Sequence, residues 1–70
     1  GGGNPAREAE KLEAKVAELT AQKDEIENAL ANASVSGNAK EMQKLNAGYN
    51  KLVDELAATE TALTAAIASL

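Results

Sequence analysis

Apolar residues recur at alternating steps of three and four along two stretches of the chain, which is the spacing of a heptad repeat. Lys23 interrupts the first stretch at an a position, and Val53 and Ile67 widen the second at e positions. The pattern predicts two amphipathic helices, each with one apolar seam. Their a and d positions are Ala9, Leu12, Val16, Leu19, Lys23, Ile26, Leu30 and Ala33, and then Met42, Leu45, Tyr49, Leu52, Leu56, Thr59, Leu63, Ala66 and Leu70.

Polar and conformationally special residues mark the ends of both helices. Asn4 precedes Pro5, so an amide oxygen can accept from the first free backbone N–H groups at a proline start. The periodicity lapses before Gly37, which supplies a left-handed stop, and Asn38 followed by Glu41 resembles a capping box. The predicted organisation is a first helix over about 5–33, a loop over about 34–38 and a second helix over about 39–70.

Two long helices joined by so short a loop have to turn back on each other. We therefore predict an all-α fold, a two-helix antiparallel coiled-coil hairpin. Antiparallel packing places a residues against d residues, and a pairing in which residue numbers add to 75 does so in every layer. Leu19 then faces Leu56, Leu12 faces Leu63, and the arms are roughly 40 Å long.

Composition excludes most catalytic chemistry. The 70 residues contain no cysteine and no histidine, which removes disulfides, imidazole acid–base work and zinc sites built from those ligands. We expect a non-enzymatic chain without a cofactor in this fragment. No apolar run is long enough to cross a bilayer, so we expect no membrane contact and a cytoplasmic location. Residues 1–3 are glycines, expected to be an expression scar on a domain that covers residues 4–70.

Charge singles out one surface of the second helix. Seven basic against 11 acidic residues give a net charge of −4. Residues 39–53 nevertheless carry three lysines against Glu41 alone, a local charge of +2. These lysines fall at outward c and f positions, where ordinary solvated side chains are the alternative interpretation. The candidate nucleic-acid-binding residues are Lys40, Gln43, Lys44, Asn50 and Lys51.

Other polar residues have a structural explanation beside the functional one. Acidic pairs such as Asp24-Glu25 fall at outward positions, so we expect a solvated face and no metal or catalytic site. Tyr49 could stack on a base, but its a position favours packing in the seam. Gly48 leaves space for that ring or for close approach of the helices.

Two features concern how the seam is completed. Lys23 either fixes the register or extends its ammonium to Glu27 or Glu55, and we favour the second interpretation. Residues 61–70 carry no charged side chain, so we expect them to dock on the first helix, on a parent domain or on another copy.

A family resemblance follows from the order of these features. Residues 10–30, a short Ser/Gly loop and residues 44–56 resemble the C-terminal coiled-coil domain of ABC-F ATPases, the ATP-binding-cassette proteins without membrane spans, including the Uup type. The resemblance implies a non-catalytic appendage behind two ATPase cassettes that contacts nucleic acid or the ribosome. Its implied partners are the parent cassettes and DNA or ribosomal RNA, held weakly.

Two alternatives stand beside this interpretation. The tRNA-binding arm at the end of valyl-tRNA synthetases is similar to the same heptads. A purely structural hairpin, which dimerises into a four-helix bundle or spaces two domains, requires no nucleic acid at all. The sequence contains no ATP-binding motif, so ATPase activity would belong to another part of the parent.

Overall fold

Two long helices form the whole of the described structure. The computed structural model describes residues 4–70, in which α1 spans Pro5–Ser36 and α2 spans Ala39–Ala68. They pack side by side in opposite directions as a rod of 52 × 16 × 14 Å. The predicted all-α helical hairpin is therefore confirmed. The expectation that residues 1–3 are an expression scar lies outside the described residues.

The start of α1 is capped as the sequence predicts. The Asn4 Oδ1 atom accepts hydrogen bonds from the backbone N–H groups of Ala6, at 3.0 Å, and Arg7, at 3.4 Å. Pro5 occupies the first helical position, where its missing N–H leaves no donor unpaired. The same asparagine's carbonyl accepts from Glu8 N–H at 2.9 Å and begins the helical ladder.

Gly37 ends α1 in the left-handed conformation, with φ 69° and ψ 25°. Its N–H donates to the Ser34 carbonyl at 3.1 Å, and the Asn38 N–H donates to the Ala33 carbonyl at 3.0 Å. This pair of bonds is a Schellman motif, which satisfies carbonyls that the helix end would otherwise leave free. Asn38 then caps α2, because its Oδ1 accepts from Glu41 N–H at 3.1 Å.

The predicted first-helix end near 33 and the predicted loop over 34–38 are wrong. Helix α1 continues through Ser36, and the connection consists of Gly37 and Asn38 alone. Serine lowers helix propensity by only a few tenths of a kcal/mol at an exposed position, which does not stop a helix. The helix ends instead at a residue in the left-handed conformation. Gly37 is the only glycine between residues 4 and 47, so α1 continues until it reaches that position.

Helix α2 ends two residues before its predicted end at 70. The N–H groups of Ser69 and Leu70 bond to carbonyls three residues back, at Ala66 and Ile67, which tightens the last turn. Leu70, predicted at an a position, is 73% exposed. Its partner under the predicted pairing would be Pro5, the first residue of α1, so too little of that helix is left to cover it.

The seam between the helices follows the predicted heptads. Every a and d residue from 9 to 33 and from 42 to 66 is buried or half-buried, and Leu19, at 5% exposure, lies near the middle. A contact between Tyr49 and Glu27 agrees with the predicted pairing to within one residue. Thr59, a buried polar residue in the seam, donates its hydroxyl to the Glu55 carbonyl at 2.7 Å and is thereby satisfied.

The flank and the free end of α2 remain largely open. Val53 is 38% exposed and Ile67 is 49% exposed, although both widen the apolar stripe. Of the uncharged residues 61–70, Leu63 and Ala66 are half-buried at seam positions. Docking of this segment on the first helix is therefore only partial. Neither helix is long and apolar enough to cross a membrane.

Candidate nucleic-acid interface

The three predicted lysines lie in line on the outer surface of α2. Lys40, Lys44 and Lys51 are all exposed. A helix turns about 100° per residue, so their positions fall within an arc of about 40°, and they span about 16 Å along the axis. We call Lys40, Lys44 and Lys51 the lysine stripe. It begins directly after the turn and runs along one face of the rod.

The turn adds polar groups to the start of the stripe. Lys40 and Lys44 line a shallow depression of about 310 Å³ together with Asn38 and Glu41. Asn38 is already bonded through its Oδ1, and Glu41 places one negative charge beside the two lysines. Asn38 is not among the predicted interface residues, although its position two residues before Lys40 and one after the glycine stop was the available signal.

The predicted amide residues flank the stripe without lying on it. Gln43 and Asn50 are both exposed. The helical repeat places them to the same side of the stripe, about 60–80° around the axis from Lys40. A ligand along the lysines would meet the two amides at its edge, where each side chain can donate and accept hydrogen bonds.

Tyr49 belongs to the seam, as its heptad position predicts. Its ring is half-buried, and its hydroxyl donates to Glu27 Oε2 at 3.4 Å, a long hydrogen bond. The Lys23 Nζ lies 5.8 Å from the ring centroid, within the range of a cation–π contact. The only aromatic side chain of the protein is thus engaged by α1 through its hydroxyl and its ring, which disfavours stacking on a base.

The same contact corrects the expected partner of Lys23. The ammonium lies over the Tyr49 ring rather than being held by Glu27 or Glu55. Glu27 accepts the tyrosine hydroxyl instead. The physical reason is that a ring in the seam is a fixed neighbour of the half-buried lysine stem, whereas an exposed carboxylate is hydrated and mobile. Exposed ion pairs are correspondingly weak.

The acidic residues form a solvated surface. In residues 4–70 no three carboxylates come together in a way that could hold a metal ion. Asp24 and Glu25 are exposed on the outer face of α1, as their b and c positions predict. These two acidic residues therefore contribute negative charge to the surface of α1.

Comparison with known proteins shows the family of the chain. The family model described as ABC transporter C-terminal domain matches residues 4–68, almost all of the chain. The chain belongs to this family. No curated protein and no solved structure matches it. The hairpin is therefore an appendage of an ABC protein rather than an arm of a valyl-tRNA synthetase, and it is a part distinct from the ATPase cassette.

Proposed function

We propose that this ABC transporter C-terminal domain binds nucleic acid weakly and without sequence preference, as the C-terminal coiled coil of an ABC-F ATPase of the Uup type. The observation that carries the proposal is the lysine stripe. Three exposed cations in line match the repeating negative charge of a phosphate backbone. Gln43 and Asn50 add hydrogen bonds at its edge, and DNA and ribosomal RNA present the same backbone chemistry.

The cations of α1 do not form an equivalent surface. Arg7, Lys11 and Lys15 are exposed and also lie roughly in line, but three acids, Glu8, Glu10 and Glu13, lie between them in the sequence. Their local charge sums to zero, whereas the lysine stripe has only Glu41 among its residues. A polyanion is therefore attracted to the outer face of α2 and gains little from α1.

The geometry limits the strength and the specificity of this binding. Three lysines release about three counterions, so the slope of log K against log salt is about −2 to −3. With Tyr49 engaged in the seam, no aromatic side chain reads or stacks on bases. Strong binding at physiological salt requires tethering to a parent protein that supplies further contacts.

The test is a fluorescence-anisotropy titration at low salt with labelled DNA and RNA duplexes. The variant combines Lys40→Glu, Lys44→Glu and Lys51→Glu. Its matched control combines Arg7→Glu, Lys11→Glu and Lys15→Glu, which changes the net charge equally on the other helix. All six side chains are exposed, so helicity measured by circular dichroism is expected to stay unchanged.

We expect the wild type to bind, the stripe variant to lose binding and the control to retain most of it. Absence of binding by the wild type, or equal loss in both variants, refutes the proposal. The second candidate function is then a structural module. Ile67, at 49% exposure, and Leu70, at 73%, would provide its protein-contacting surface at the uncharged end.

A further inference from the structure

The lysine stripe is followed at once by two carboxylates on the same side of α2. Asp54 and Glu55 lie three and four residues beyond Lys51, the spacing that brings side chains together on a helix surface. Both are exposed. From residue 54 to the C-terminus the chain has three acidic residues, the third being Glu60, and no lysine or arginine. The positively charged surface therefore ends at Lys51, and the surface beyond it is negatively charged.

We infer that Asp54 and Glu55 end the nucleic-acid contact, so that the phosphate backbone follows α2 from the turn only as far as Lys51. This inference rests on the proposed function and specifies the extent of its site. The stripe spans about 16 Å, which equals the rise of about five base pairs along the axis of a B-form duplex. The part of α2 beyond Lys51 then makes no contact with the ligand.

Screening explains why these two acids outweigh the more numerous acids of α1. Asp54 and Glu55 lie about 4.5 and 6 Å beyond Lys51 along the axis, which is less than the Debye length of about 10 Å at 0.1 M salt. The rod is 14–16 Å thick, so a charge on the outer side of α1 and a ligand on the outer side of α2 are separated by more than the Debye length of about 10 Å. Their repulsion is largely screened, whereas that of Asp54 and Glu55 is not.

The chain offers a matched control for this argument. Asp24-Glu25 is the same dipeptide on α1, and both of its residues are exposed. Under the pairing in which numbers add to 75, it lies at the level of Lys51 and Asn50 along the rod. Asp24 and Glu25 occupy b and c positions of α1, whereas Asp54 and Glu55 occupy f and g positions of α2, so the two dipeptides differ in the helix and in the heptad positions that they occupy.

The experiment compares Asp54→Asn/Glu55→Gln with Asp24→Asn/Glu25→Gln in the same titration, with a labelled DNA duplex in about 0.1 M salt. Each variant changes the net charge by +2. Removing two repulsive charges about 10 Å from the phosphates should tighten binding by about twofold in the first variant. The second should change binding by less than about 1.5-fold, because its charges are screened.

The outcomes separate this inference from the proposed function. Equal tightening in the two variants, or no change in the first, overturns the boundary while the binding of the wild type still supports the function. A wild type that binds no duplex even at low salt overturns both. Circular dichroism of each variant confirms that only surface charge has changed.

Discussion

Replacing Gly48 with alanine should stabilise the hairpin. Gly48 lies inside α2 beside the seam and has an ordinary helical φ, since Gly37 is the one glycine with positive φ in the described residues. A methyl group added there would lie 3.5 Å from the Ile26 Cδ1 atom, an ordinary van der Waals contact. The position therefore has room for a side chain, and neither close helix approach nor the Tyr49 ring requires glycine.

The magnitude follows from backbone entropy and from this one contact. Glycine in a helix interior is less favourable than alanine by about 0.8–1.0 kcal/mol. The new methyl group is partly covered by Ile26 and adds a few tenths of a kcal/mol at most. We expect a gain of about 1 kcal/mol, which for a domain of this size raises the melting temperature by about 4–8 °C.

The assay is thermal and urea unfolding followed by circular dichroism at 222 nm, the helix band. Gly37→Ala is the control, because the same substitution at φ 69° forces a left-handed alanine and should cost about 1–2 kcal/mol. Opposite signs at the two glycines are the expected result. Loss of stability in Gly48→Ala would show that the helices approach more closely than this structure has them and would refute the reasoning.

Two further substitutions test the seam itself. Lys23→Leu should raise the melting temperature, because an apolar contact with Leu52 replaces a partly desolvated ammonium and outweighs a cation–π contact of about 0.5–1 kcal/mol. Sedimentation shows whether the association state also changes, and an unchanged or lower melting temperature contradicts this account of Lys23. Leu19→Ala should cost about 2–4 kcal/mol in urea unfolding, since Leu19 is 5% exposed. Val53→Ala, at 38% exposure, should cost less than about 1 kcal/mol, and similar costs at both sites would contradict the assigned seam.

The seam could be predicted from the sequence because burial in a coiled coil is decided by spacing. Thr59 and Lys23 are polar, yet the first is buried and the second half-buried, as their heptad positions require. The register between the helices, in which the numbers of facing residues add to 75, could be predicted from the same spacing. It also centres on the turn, since Gly37 and Asn38 themselves add to 75.

The sequence could not predict details for which two local conformations differ little in free energy. Ser34 and Ser36 tolerate both helix and loop, so the end of α1 depends on where a left-handed residue can stand. Sequence spacing offers Lys23 the carboxylates of Glu27 and Glu55, whereas the packing of the seam places its ammonium over the Tyr49 ring. The exposure of the lysine stripe, by contrast, could be predicted from the sequence, because Lys40, Lys44 and Lys51 occupy outward heptad positions.

The most direct test of the nucleic-acid contact is a titration followed by NMR at low salt. A short DNA duplex is added to the 15N-labelled protein, and amide shift changes are recorded for every assigned residue. We predict that shift changes concentrate from Asn38 to Lys51 and become small beyond Asp54, while the amide signals of α1 around Asp24 do not shift. Shift changes that are absent, or that centre on the uncharged end from Thr61 to Leu70, would contradict it.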